Sequence, residues 1–301
     1  MTPLHIQALR GWYQFVNARA WRKSKFDIPN REHAVPLTPH AITVQEYAHP
    51  DGGSKPLIFY FHGGGWVIGN LLTHDGFCKA LSHYTGHSVI AFDYRRAPDD
   101  YYPAAHDDAL EAANWLIDNN RIITPFNGRF VMAGDSAGGN LAITVATEIR
   151  EQNRHHLVGV LSLYPVADHY EAGYGSYIEQ ANTGVLSAKM MRWFWDTYLG
   201  GQSPAAADRA RLMQSPLLSR LSNLLLITAE RDPLKDEGIA LGDRCKAEGV
   251  AVEHHHFESA QHGFACSEGE TEDFVALMAL VNHWLSGLDS ETTPDARGRT
   301  F

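Results

Sequence analysis

The chain is 301 residues long, 44% hydrophobic and 20% charged, and its 25 Lys and Arg against 35 Asp and Glu give a formal charge of −10. That length can bury a sizeable core in one large α/β domain or two small ones, while the negative balance argues against nucleic acid or an anionic membrane as main partner and leaves a small uncharged substrate open. Three widely spaced cysteines, Cys78, Cys245 and Cys266, with neither a signal-like apolar run near the start nor a bilayer-length span, set the expectation of a cytoplasmic protein without a disulfide framework.

In chain order, Leu9, Trp12 and Val16 share one helical face and predict an amphipathic helix over 4–20. Residues 1–40 are read as N-terminal cap helices. Thr43–Tyr47 and Leu57–Phe61, split by the Asp51-Gly52 turn, read as an antiparallel pair. A helix from about Thr73 to Tyr84, stopped by Gly86, leads to a strand over 88–94. Pro103 opens the next helix, which carries Ala109, Leu110, Ala113, Leu116 and Ile117 on one side. The run Phe130 to Ala133 has the character of a buried strand, and Leu141, Val145 and Ile149 then recur at helical spacing. Strands over 157–164, 224–228 and 251–257 alternate with helices over about 234–248 and 272–287. Such alternation predicts an α/β fold whose mostly parallel central sheet is flanked by helices, with its body in 41–167 and 216–288. Between 168 and 215 the alternation fails except for one helix near 187–198, so this segment reads as a cap insertion over the strand ends. The polar stretch 289–301 is expected to be a disordered tail.

The chemistry gathers at the strand-to-helix junction Gly134-Asp135-Ser136-Ala137-Gly138. A turn this sharp brings backbone close on both sides of the serine, admits only glycine at 134 and 138, and pushes the hydroxyl out at the strand end. Ser136 is therefore the candidate nucleophile. It needs a base to take its proton and an acid to orient that base. His262 is chosen among 17 histidines because it follows the strand ending at Phe257 and sits at the edge where catalytic groups of such sheets collect. Asp232 follows the strand over 224–228 and reaches the same edge. It is favoured over Glu230, which leaves the strand too early, and over Asp236 and Glu237, which fall inside the next helix.

His62-Gly63-Gly64-Gly65 exposes backbone N–H groups. A phosphate cradle is the alternative, but the Lys-Ser/Thr ending of such loops is missing. Gly64 and Gly65, with Ala137, are the expected oxyanion donors. His254, His255 and His256 alternate across a strand and cannot converge on one metal, so no metal and no cofactor is expected. On the 187–198 helix Met191, Phe194, Trp195 and Tyr198 share a face that either packs on the body or lines a pocket. Phe194, Trp195 and Tyr198, together with Trp66, are the substrate-binding candidates.

With these residues placed, the sequence resembles the hormone-sensitive-lipase-like esterases, and among them the bacterial acetyl esterases, from about Ile58 to Trp284. The likeness rests on His62-Gly63-Gly64-Gly65-Trp66, Asp93-Tyr94-Arg95-Arg96-Ala97-Pro98, Tyr102-Pro103-Ala104-Ala105, Gly134-Asp135-Ser136-Ala137-Gly138-Gly139-Asn140, Asp232-Pro233-Leu234-Lys235-Asp236-Glu237-Gly238 and His262-Gly263-Phe264. The resemblance implies an α/β-hydrolase fold with a helical cap, metal-free hydrolysis of short-chain carboxylic esters, and Ser136, Asp232 and His262 as a catalytic triad. Two positions depart from the pattern: Arg96 stands where an aliphatic residue is usual, and Leu221-Ser222-Asn223 where a Pro-rich lead is usual.

The expected partner is a small-molecule ester; a homodimer is permitted by the sequence. Trp193, Phe194, Trp195 and Tyr198 would crowd a pocket and favour acyl groups from acetyl to butyryl. An amidase or formamidase on the same scaffold is the rival enzyme. A ligand-binding protein built on a dead hydrolase is the rival of another class, and it should have lost one of the three triad residues.

Overall fold

The computed structural model describes residues 2–182 and 184–290. One 8-stranded sheet organises the chain, in the order β1-β2-β4-β3-β5-β6-β7-β8. Its strands are β1 (Asn30–Pro36), β2 (Ala41–Tyr47), β3 (Leu57–Phe61), β4 (Val89–Phe92), β5 (Phe130–Asp135), β6 (Leu157–Leu163), β7 (Asn223–Arg231) and β8 (Ala251–Gln261). β1, β2 and β4 pair antiparallel, and β4, β3, β5, β6, β7 and β8 run parallel to one another. The helices are α1 (Leu4–Ala20), α2 (Leu71–Thr85), α3 (Ala104–Asp118), α4 (Ala137–Glu148), the short α5 (Ser176–Glu179), α6 (Ala188–Leu199), α7 (Lys235–Ala247), the short α8 (Phe264–Ser267) and α9 (Glu272–Ser290).

Every residue of β3, β5 and β6 is buried, as continuous apolar runs must be when both faces of a parallel sheet are covered. Strand alternation divides the core in two. Leu57, Phe59 and Phe61 face the layer of α3, α4 and α7, whereas Ile58 and Tyr60 face the layer of α2 and α9. Gly86 ends α2 in the left-handed region, φ 71°, as its place in the sequence predicts. No helix among the described residues is long and apolar enough to cross a membrane.

Three expectations need correction. β2 and β3 are not a hairpin: β2 pairs with β1 and β4, while β3 lies parallel between β4 and β5. The five buried residues of β3 need cover on both faces and a neighbour on each edge, which a hairpin at the sheet margin would not supply. Residues 1–40 are not helical throughout, because β1 forms the sheet margin. Only Val35 of β1 is buried, so an edge strand this polar has no apolar alternation to read. On α1 the inward residues are Ile6, Leu9, Tyr13 and Asn17 rather than the Leu9, Trp12, Val16 face, and Trp12 is 56% exposed. Of the tail expected over 289–301, residues 289 and 290 continue α9, and 291–301 lie outside the described residues.

Candidate active site

β5 ends at Asp135 and α4 starts at Ala137, so Ser136 alone makes the turn, at φ 55° and ψ −120°. A side chain there is strained, and neighbouring backbone holds it. A Cβ on Gly138 would run into the Phe61 carbonyl, and one on Gly134 into that of Gly138. The Ser136 N–H donates to the Leu163 carbonyl at 2.8 Å, tying the turn to β6.

His262 follows directly on β8, and its N–H donates to the Arg231 carbonyl at 3.2 Å. Its Nε2 lies 3.0 Å from Ser136 Oγ and its Nδ1 2.7 Å from Asp232 Oδ2. The other Asp232 oxygen accepts the Leu234 N–H at 2.8 Å, which fixes the carboxylate against rotation. Asp232 is 1% exposed, Ser136 6% and His262 8%. Tyr164 packs edge-on against the imidazole at 4.9 Å. The three groups thus form one hydrogen-bonded line, arranged so that Nδ1–H donates to the carboxylate and Nε2 faces the hydroxyl.

The rival acids are engaged elsewhere. Glu230 pairs with Lys235 and His256, each at 3.0 Å, and its hydrogen bond to Lys235 leads the causes that lower its carboxyl. Asp236 accepts the Ser176 N–H at 2.8 Å. Glu237 is buried and accepts the Ala167 N–H at 2.8 Å, and burial pushes its carboxyl well above the usual range.

The loop after β3 turns through Gly64 at φ 112° and Gly65 at φ 60°. No acceptor among the described residues takes a hydrogen bond from either N–H. Both glycines border the same cavity as Ser136 and His262. Ala137 opens α4, where helix geometry leaves the first N–H groups without helical acceptors. An anionic oxygen beside Ser136 would meet these donors.

The cavity measures about 320 Å³, and its walls are mainly apolar. Leu9, Trp12 and Tyr13 come from α1, and Met190, Met191 and Phe194 from α6. Of the four substrate-binding candidates, only Phe194 lines it. Trp66, Trp195 and Tyr198 are fully buried behind the wall: Trp66 stacks on Tyr198 at 4.5 Å and meets Trp195 edge-on at 5.0 Å. The helical face divides more finely than its spacing shows, with Trp195 and Tyr198 turned into the body and Met191 and Phe194 toward the space. The α1 residues and Met190 carry no motif, so the sequence offers no signal for them.

His254 and His256 point to one side of β8 and share Thr228 Oγ1 at 2.8 and 2.9 Å, while His255 reaches Glu253. One group among the described residues, His74, Asp135 and Cys266, has ligating atoms within 4.8 Å of one another. Within it Asp135 Oδ1 already accepts from the Tyr60 hydroxyl and the Gly63 N–H, and Cys266 Sγ lies within hydrogen-bonding distance of the Tyr60 and Tyr164 hydroxyls.

A parallel sheet with a strained serine between β5 and α4, a histidine after β8 and an acid after β7 is the architecture of an α/β-hydrolase. Residues 58–266 match the family described as alpha/beta hydrolase fold. An ethyl acetate hydrolase of Pseudomonas putida is 30% identical, over 95% of this chain and 89% of its own length. Esterase LipI of Mycobacterium tuberculosis is 34% identical over 77% of this chain and 75% of its own. The crystal structure of EstE1, a thermostable carboxylesterase cloned from a metagenomic library, superposes with a TM-score of 0.89 at 29% identity and covers 95% of this chain and 98% of its own. The chain belongs to the α/β-hydrolase-fold family, in its hormone-sensitive-lipase-like esterase branch.

Proposed function

We propose that this chain is a serine carboxylesterase that cleaves short-chain neutral esters through an acyl-enzyme. The observation that carries the reading is the Ser136–His262–Asp232 line, at 3.0 and 2.7 Å, opening onto an apolar cavity bordered by Gly64 and Gly65. Ser136 Oγ attacks the ester carbonyl carbon while its proton passes to His262 Nε2. Asp232 holds the imidazole through Nδ1–H and stabilises the cation formed. The N–H groups of Gly64, Gly65 and Ala137 receive the oxyanion, the term that contributes most in such reactions. The same His262 proton goes to the departing alcohol, and water then reverses the sequence to free the acid.

Short chains are favoured because Phe194 closes the cavity beside Gly65 and the volume is modest. The name of the Pseudomonas putida relative, an ethyl acetate hydrolase, points the same way. Nitrophenyl esters from acetate to palmitate, assayed below their solubility limits beside acetyl and butyryl anilides, test this. The expected maximum lies at about two to four carbons, with a loss on the order of a hundredfold by ten, and anilide turnover is far slower. A preference still rising past about eight carbons would overturn the short-chain reading. Anilides turned over as fast as esters would favour an amidase.

A further inference from the structure

The glycine loop is held by a buried ion pair that the triad does not use. Asp135, the last residue of β5, is 3% exposed. Its Oδ1 accepts the Gly63 N–H at 2.8 Å and the Tyr60 hydroxyl at 2.6 Å. Its other oxygen presses so closely on the Gly63 Cα that a Cβ there would overlap it. The first residue of the oxyanion loop therefore rests on this carboxylate.

His74 of α2 faces the same Oδ1. It is fully buried, with Nε2 3.3 Å from Asp135 Oδ1 and Nδ1 2.8 Å from Thr73 Oγ1. The Thr73 hydroxyl donates its single proton to the Asn70 carbonyl at 2.7 Å and accepts the Asn70 N–H at 2.9 Å. Toward His74 it can only accept, so Nδ1 carries a proton. The Asp135 carboxylate only accepts, and Nε2 faces its Oδ1 at 3.3 Å, an ion-pair distance outside hydrogen-bond geometry. Burial alone would raise the Asp135 carboxyl, but the His74 charge and contact, with the bonds from Tyr60 and Gly63, outweigh it and hold the group below the usual range.

We propose that His74 is a positioning residue for the oxyanion loop, acting through Asp135 on Gly63; the inference rests on the esterase reading. Both ends of the loop meet at this ring. Gly63 is tied to it through Asp135, and Asn70, where the loop ends, is tied to it through Thr73 in the capping box of α2. Without His74 a buried carboxylate has no countercharge and turns toward the cavity it borders or takes up a proton; either releases Gly63. The consequence falls on Gly64 and Gly65, the groups that meet the oxyanion, and not on the apolar walls that bind the substrate.

The test is a double-mutant cycle on nitrophenyl butyrate hydrolysis with His74→Leu, Asp135→Asn and the pair. His74→Leu should lower kcat about tenfold to a hundredfold, somewhat less than outright loss of an oxyanion donor, with KM within about threefold. His74→Gln, which can offer an N–H toward Asp135 but carries no charge, should recover only part of it. In the Asp135→Asn background no countercharge is needed, and the same His74 change should cost less than about threefold. If His74→Leu does not fold, the cycle is run with His74→Gln, whose smaller effect should again vanish beside Asp135→Asn. Equal cost in both backgrounds, or a lowered melting temperature with kcat unchanged, overturns the proposal while leaving the esterase reading intact. Failure of the unaltered protein to hydrolyse any ester overturns both.

Discussion

Replacing Phe194 by Ala tests what limits ester length. The ring is 4% exposed, and a Cβ on Gly65 would overlap its Cγ and Cδ1, so it closes the cavity next to the glycine loop. Removing it opens space for about four methylenes in line, each contributing about 0.8 kcal/mol when buried, or about 3 kcal/mol and on the order of a hundredfold in kcat/KM at most. The truncation costs about 3 kcal/mol of stability, the low end for such changes, because one side of the ring already faces a cavity. The assay compares kcat/KM for nitrophenyl acetate, butyrate, hexanoate and octanoate, and for a matching series of alkyl acetates, so that both the acyl and the alcohol side of the ester are probed. The octanoate-to-butyrate ratio, or its alkyl counterpart, should rise by at least about tenfold, while acetate stays within about threefold because the hydrogen-bonded line is untouched. A folded variant whose ratio is unchanged in both series would refute the assignment of Phe194 as the limiting wall.

Asp232→Asn should cost about 10⁴ in kcat, because Asn presents the wrong hydrogen-bonding pattern to His262 and cannot stabilise its cation. Asp236→Asn and Glu230→Gln, whose carboxylates serve Ser176, Lys235 and His256, should stay within about tenfold, and equal losses would leave the acid unassigned. Trp195→Phe should lower stability by about 2 kcal/mol yet leave the chain-length profile as it is, because Trp195 packs behind the wall on Trp66; a shifted profile would return it to the pocket. His106 sits between the Tyr198 hydroxyl and Asn140 Oδ1, and burial, then the Arg209 charge, holds it down to about 3 against 6.5. Between those values the unfolded chain binds a proton that the folded chain refuses, so stability falls as pH drops below 6.5, by up to about 1.4 kcal/mol per pH unit, and this group adds no slope above it. Urea midpoints should decline more steeply on acidification in the unaltered protein than in His106→Gln; parallel declines would contradict this.

The parts of the site that sequence reveals are those with a steric demand. Gly134 and Gly138 are forced by the carbonyls of Gly138 and Phe61, so the turn around Ser136 is written in residue types. His262 and Asp232 follow strands whose apolar runs are unmistakable, and Phe61 leads straight into the glycine loop. Polar margins leave no such trace: β1 holds one buried residue, and its place in the sheet depends on β2, which binds it and β4 rather than β3. The tryptophans show the same limit. Helical spacing groups Phe194 with Trp195 and Tyr198, but which of them meets the cavity depends on how α6 lies against Trp66. His74 was equally hidden, because its meaning lies in Asp135, sixty-one positions away in the chain and 3.3 Å away in space.

The central claim, that Ser136 is the nucleophile of an ester hydrolase, is tested most directly by reaction with diisopropyl fluorophosphate followed by peptide mass spectrometry. One phosphoryl group per chain should be found on Ser136, with loss of nitrophenyl butyrate hydrolysis in the same proportion. Ser136→Ala should remain unlabelled and lose about 10⁶ in kcat, the scale seen when a triad serine is removed. Labelling at another residue, or hydrolysis retained in Ser136→Ala, would contradict it.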